Sequence, residues 1–286
     1  MMGKRVLVTG SEGFVGKWLV KALKDKGIEV IPFDAAQGKS VIRWEDFSSI
    51  KGIDAVFHLA ALTYVPEARK NPRPFFEVNG FGTLNVCELC RIHNAKLIYA
   101  SSYLYGKPTT LPISEEHPLD LYNPYAQSKF IGEEIISQYE REFGLKAVKL
   151  RFFNIYGPGQ RQEFIISRIA RSLKTGVVEL QDPRPKRDFV YVSDVVQAYL
   201  KAYSSQQTGV FNIGSGKSYS VREIVRIMVS IWGKPVKIIF SGDRRPNEIL
   251  DCVSDIRKAR RLLGWSPKVD IDDGLKKTIA WEGLQE

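Results

Sequence analysis

A chain of 286 residues, 44% of them hydrophobic, is long enough to bury a substantial core and suits one doubly wound domain with a smaller lobe. No apolar run approaches the roughly 18 residues of a membrane span, and the N-terminus passes directly into an apolar strand, which predicts a cytoplasmic protein without a secretory leader. The net charge of +10 comes from basic residues interspersed with acids and without a nucleic-acid-binding motif, so most lysines read as solvated surface and the expected partner is a small anion, not nucleic acid or membrane.

Lys4 to Thr9 reads as a short buried strand. Gly10-Ser11-Glu12-Gly13-Phe14-Val15-Gly16 follows, and a helix is predicted over 13–26 with Trp18, Leu19, Ala22 and Leu23 on one face. Strand, glycine turn and helix start together place a pyrophosphate on backbone N–H groups. Gly10 is expected to make the tight turn, Gly13 to allow close approach beside Phe14, and Gly16 to let helix and strand pack. A second strand over 28–33 ends at Asp34, 18 residues past Gly16. A carboxylate there suits the adenine ribose hydroxyls and repels a 2′-phosphate, so NAD is expected ahead of NADP.

Further apolar strands are predicted at 54–59, 95–101 and 146–153, alternating with helices at roughly 73–93 and 123–143. This is an α/β pattern, a doubly wound parallel sheet of Rossmann type. Cys87 and Cys90 have metal-like spacing inside an apolar helical segment, but no second pair accompanies them, and the histidines are dispersed. No metal site is expected. His58 ends a buried strand, where a structural or cofactor-adjacent place is expected. The second half carries more proline, glycine and charge; a helix over 192–203 and a strand over 210–213 are its clearest elements.

Tyr125 and Lys129 share one face of helix 123–143, with Ser101 and Ser102 upstream. An ammonium beside a phenol favours the phenolate, so the Tyr125 pKa is expected to fall from near 10. Such a tyrosine exchanges a proton with a substrate hydroxyl near neutral pH.

With the spacing G-x-x-G-x-x-G and Tyr125-x-x-x-Lys129, the chain resembles the extended short-chain dehydrogenases/reductases. More narrowly, it resembles the NAD-dependent epimerase/dehydratase family acting on nucleotide sugars. Further matching segments are Asp54 to Ala61, Val78 to Thr83, Ala100 to Gly106, Arg151 to Gly159, Arg187 to Val192, Asn212 to Gly216, and Arg245-Pro246. The resemblance implies that Leu59, Ala60 and Ala61 form the turn over the cofactor and that Lys129 holds its ribose hydroxyls. It implies Ser101 as the catalytic hydroxyl, with Ser102 second and nearer the substrate. Asn154, Arg187 and Arg245 are implied as contacts for the diphosphate of a nucleotide-diphosphate sugar; for Arg187, an ion pair with Asp188 competes. The implied domains are an NAD-binding unit of 1–153, to which 189–213 return, and a substrate lobe of 154–188 and 214–286.

Dehydratases resembling this chain carry an acid two positions after the catalytic Ser/Thr, where Tyr103 stands here, so 4,6-dehydration is disfavoured. Two enzymatic readings remain: a 4-epimerase working through a transient 4-keto sugar, and an NAD(P)H-dependent reductase of a nucleotide-linked 4-keto-6-deoxy sugar. Asp34 favours the first. A nucleotide-binding redox sensor of the same fold is the non-enzyme reading, and retention of Tyr125 and Lys129 weighs against it. The resemblance also suggests a homodimer through a four-helix bundle of helix 123–143 and the helix before residue 93. Phe130, Ile131, Ile135, Tyr139 and Phe143 are too many apolar residues for one narrow core stripe.

Overall fold

The expected strand–turn–helix opening is present in the computed structural model, which describes residues 4–244 and 248–283. It consists of β1 (Arg5–Thr9), α1 (Phe14–Lys24) and β2 (Glu29–Phe33). Val6, Leu7 and Val8 are fully buried, since a parallel strand is covered on both faces. Leu19 and Leu23 pin α1 to one of those faces, each burial contributing roughly 1.5–3 kcal/mol.

Next come β3 (Ala55–His58), α2 (Val65–Lys70), α3 (Arg73–Phe76) and α4 (Gly82–His93). The single helix expected over 73–93 is interrupted by a π-helical turn at Glu77–Phe81. Then follow β4 (Lys96–Ser102), α5 (Pro124–Phe143) and β5 (Ala147–Phe152). α5 is delimited by its own sequence. Asn123 Oδ1 accepts from the Ala126 N–H at 2.9 Å, Pro124 opens the first turn, and Gly144 ends the helix at φ 67°.

The second half contains β6 (Asn154–Tyr156), α6 (Ile165–Thr175), β7 (Val177–Leu180), β8 (Lys186–Tyr191) and α7 (Val192–Ser204). It continues with β9 (Gly209–Ile213), β10 (Ser218–Ser220), α8 (Val221–Trp232), β11 (Lys237–Phe240) and α9 (Ile271–Gly283).

Six parallel strands form the main sheet in the order β2-β1-β3-β4-β5-β9. The direction of winding reverses between β1 and β3, which opens a crevice at the strands' carboxyl ends. The smaller sheets, β10-β8-β6 and β11-β7, share a second core with α6, α8 and α9, built on Ile169, Leu173, Met228 and Leu275.

Two segments sit differently from the expected division. β8, expected to return at residue 189, pairs with β6 and β10, and its alternation makes it a seam: Val190 joins the large core while Phe189 and Tyr191 join the small one. Conversely Ile256, Ala259, Leu263 and Trp265, expected in the lobe, pack into the large core, with Trp265 Nε1 donating to the Asp194 carbonyl at 2.9 Å. Among the described residues, no helix is long and apolar enough to cross a membrane.

Candidate active site

A cavity of about 680 Å³ lies at the carboxyl ends of β1, β3 and β4 and is walled on its other side by β6 and β8. The glycine loop forms its floor. Gly10 turns at φ +72°, and a Cβ there would lie 2.7 Å from the Ala60 nitrogen. A Cβ on Gly16 would lie 2.0 Å from the Gly10 carbonyl oxygen, so α1 reaches β1 only because residue 16 has no side chain. Gly13, Phe14 and Gly16 line the cavity, and no side chain caps α1 at Gly13. The first-turn N–H groups and the positive helix end are therefore left at the wall, ready for an anion.

Asp34 stands one hydrogen bond behind this loop. Its Oδ2 accepts from the Glu12 N–H and its Oδ1 from the Ala36 N–H, both at 2.9 Å. Each oxygen keeps a lone pair for a ribose hydroxyl. Leu59 and Ala61 line the cavity, while Ala60 backs Gly10. Loop, helix end and carboxylate together fit a dinucleotide.

His58 is buried beneath this turn between Thr9 Oγ1, at 2.7 Å, and Thr83 Oγ1, at 3.1 Å. Burial, with the Lys129 charge adding to it, pulls its pKa down to about 3, so it is neutral and structural. Cys87, Cys90 and Cys252 are buried free thiols, and no group of potential metal ligands occurs among the described residues.

Tyr125 and Lys129 both reach the cavity from the first turns of α5. The expected fall in the Tyr125 pKa is not found. Burial raises it above the ordinary value of 10, and the opposing influence is a hydrogen bond with the Ser102 side chain. Lys129 is itself desolvated: its ammonium lies 4.2 Å over the Tyr99 ring, and burial pulls its pKa down to about 7 against the pull of Glu133. A charge weakened in this way does not dominate its neighbour.

The two serines make different contacts. Ser101 and Ser102 both line the cavity, but strand alternation turns them to opposite sides. Ser101 Oγ donates to Glu133 Oε1 at 2.5 Å, whereas Ser102 is the serine whose side chain opposes the burial-driven rise of the Tyr125 pKa. Ser101 is thus engaged by Glu133, and Ser102 is the serine on the Tyr125 side.

Asn154 and Arg187 lie on the opposite wall. Asn154 Nδ2 donates to the Asp188 carbonyl at 3.2 Å. The Arg187 guanidinium donates to the Ile249 carbonyl at 2.6 Å and pairs with Glu248. The expected competitor, Asp188, is fully buried and accepts instead from Ser215, Gly216 and Ser254. Arg245 falls outside the described residues.

Four residues were missed from the sequence. Asn79, on the π-helical turn, accepts from the Leu62 N–H at 2.9 Å and donates to the Leu62 carbonyl and to Ser128 Oγ, fastening the loop after β3 to α5. Its place inside the Val78 to Thr83 motif was the available signal. Glu133 repeats the spacing of Tyr125 and Lys129 by one further turn. Tyr122 and Cys252 reach the wall from separate loops and carried no local signal.

The sequence model described as the NAD dependent epimerase/dehydratase family matches residues 6–214. The GDP-6-deoxy-D-mannose reductase of Pseudomonas aeruginosa is 32% identical over 306 residues, covering 98% of each chain. A Thermus thermophilus UDP-glucose 4-epimerase in complex with NAD superposes with a TM-score of 0.90 at 31% identity, covering 98% of this chain and 99% of that one. The Thermotoga maritima UDP-glucose 4-epimerase with UDP-glucose gives 0.91 at 28% identity, with the same coverage.

Proposed function

Because the chain belongs to the NAD-dependent epimerase/dehydratase family, we propose that it is a nucleotide-sugar 4-epimerase, with UDP-glucose the first substrate to test. The composition of the cavity wall sets elimination aside, and Asp34, which favours NAD over NADP, carries the choice of epimerase over reductase. Among the described residues Glu12, in the glycine loop, is the only carboxylate on it, and Tyr103 stands where an eliminating enzyme needs an acid. Proton exchange by a phenol is thus the chemistry available.

NAD, when bound, would supply the reversible hydride acceptor for C4. Gly10, Gly13, Phe14, Gly16 and Asp34 would hold its adenosine and pyrophosphate, and Lys129 its second ribose. As the phenolate, which the positive nicotinamide ring of bound NAD would favour against burial, Tyr125 would take the proton of the C4 hydroxyl as the ketone forms and give it back after the sugar has turned. Ser102 holds the C4 oxygen and steadies the phenolate. Asn154 and Arg187 meet the diphosphate, Arg187 with the N–H groups not engaged by Glu248, Lys186 and Ile249.

Reduction of a nucleotide-linked 4-keto-6-deoxy sugar is favoured by the likeness to the Pseudomonas reductase and uses the same side chains. The test is to denature the purified protein, identify any released nucleotide, and assay a panel of nucleotide sugars. Bound NAD with interconversion of two C4 epimers supports the epimerase. Nucleotide-free protein that consumes NADH or NADPH with a 4-keto sugar overturns it.

Asp34 supplies a prediction. Asp34→Asn is expected to weaken NAD about tenfold, the scale of one charge-assisted hydrogen bond, and to narrow the preference over NADP. The two dissociation constants decide it; a wild-type protein that prefers NADP contradicts the role given to Asp34.

We propose further that the protein is a homodimer through α4 and α5. Phe81, Ile131 and Phe143 are 50%, 40% and 56% exposed beside this helix pair. Ile135 and Tyr139 instead pack partly on their own core, so Ile131 is the better probe. Ile131→Glu is expected to yield monomers by light scattering at micromolar concentration; a monomeric wild type removes the interface.

A further inference from the structure

Glu133 lies one turn beyond Lys129, so Tyr125, Lys129 and Glu133 occupy one face of α5. The side chain is buried, and its carboxylate is held from two strands. Ser101 Oγ of β4 donates to Oε1, and Arg151 of β5 donates through Nε at 2.9 Å and Nη2 at 2.6 Å. Arg151 is fixed in turn by Tyr105 Oη at 3.0 Å, and Tyr105 donates to Asn212 Oδ1 of β9 at 2.7 Å. A negative charge is thus locked at one position beneath the cavity, one helical turn from Lys129 on the same face of α5.

We propose that Glu133 is a positioning residue for Lys129: its fixed carboxylate keeps the buried ammonium charged for the cofactor ribose. The proposal rests on reading the cavity as the NAD site. The other groups facing Lys129 supply no second anion. Tyr99 of β4 presents its ring, His58 of β3 is neutral, Tyr125 on α5 keeps its proton while its pKa is raised, and Arg151 of β5 stands behind Glu133 with a positive charge. Burial already brings the Lys129 pKa down to about 7, and Glu133 is the influence holding it up. The ammonium is present below that midpoint and lost above it. Removing the carboxylate moves the loss to lower pH.

The test uses the full chain with 13C-labelled lysine, Lys129→Met assigning the resonance. Glu133→Gln is expected to lower the Lys129 titration midpoint by about one pH unit. NAD affinity by calorimetry should then be close to wild type near pH 6 and about tenfold weaker near pH 8. Glu133→Gln with Arg151→Gln removes the orphaned guanidinium and serves if the single variant does not fold; its midpoint should still lie below that of the wild type, though by less than in the single variant. An unchanged midpoint in a folded variant, or an affinity loss equal at every pH, overturns the role. A wild-type protein that fails to bind NAD removes the reading of the cavity, and the titration midpoint still decides whether Glu133 governs Lys129.

Discussion

Tyr125→Phe is expected to lower turnover by a factor of about 10² or more while leaving NAD affinity nearly unchanged. The substitution deletes one oxygen from a side chain whose ring remains in place. Lys129, the glycine loop and Asp34, which hold the cofactor in this account, are untouched. What disappears is the phenol oxygen that would take a proton from a substrate hydroxyl beside Ser102. Turnover with the preferred substrate is the measurement; a rate near wild type would remove Tyr125 from the mechanism.

Gly16→Ala carries the second large effect. The added methyl would meet the Gly10 carbonyl oxygen at 2.0 Å, and backbone cannot swing aside as a flexible side chain can. α1 has to move off β1, at a cost of roughly 1–3 kcal/mol or more, and the loop that would hold the pyrophosphate moves with it. NAD affinity is expected to fall at least about tenfold. Gly27 is the control. It has φ +70° and open space around its missing Cβ, so Gly27→Ala should cost about 1 kcal/mol in stability and leave NAD binding alone. Melting temperature and NAD dissociation constant, measured on both variants, separate the two. Wild-type NAD affinity in Gly16→Ala would contradict the role of the close approach.

What the sequence made legible was local. The five strands before residue 153 and the helices starting near residues 13 and 123 declare themselves by apolar runs, glycines and the Asn123-Pro124 cap, because each signal lies within the element it specifies. What it concealed depends on partners distant in the chain. Neither serine announces its side of β4, since that depends on Glu133 and Tyr125 meeting it in space. Spacing showed that Lys129 is near Tyr125, but not that both would be desolvated, which reversed the expected direction of the phenol's pKa. Arg187 found Glu248 across 61 residues when its neighbour Asp188 was the obvious candidate. The lobe boundary moved for a similar reason: β8 is short and alternates between two cores, and no stretch of its six residues belongs wholly to either.

The central claim is that hydride leaves C4 and returns to the same carbon without exchange. UDP-glucose carrying deuterium at C4, incubated with the protein and no added nucleotide, tests it directly. The account predicts the C4 epimer as product with the deuterium still on C4 and none lost to water. No epimer until NADH or NADPH is supplied, or epimer that has exchanged its label with solvent, would contradict it.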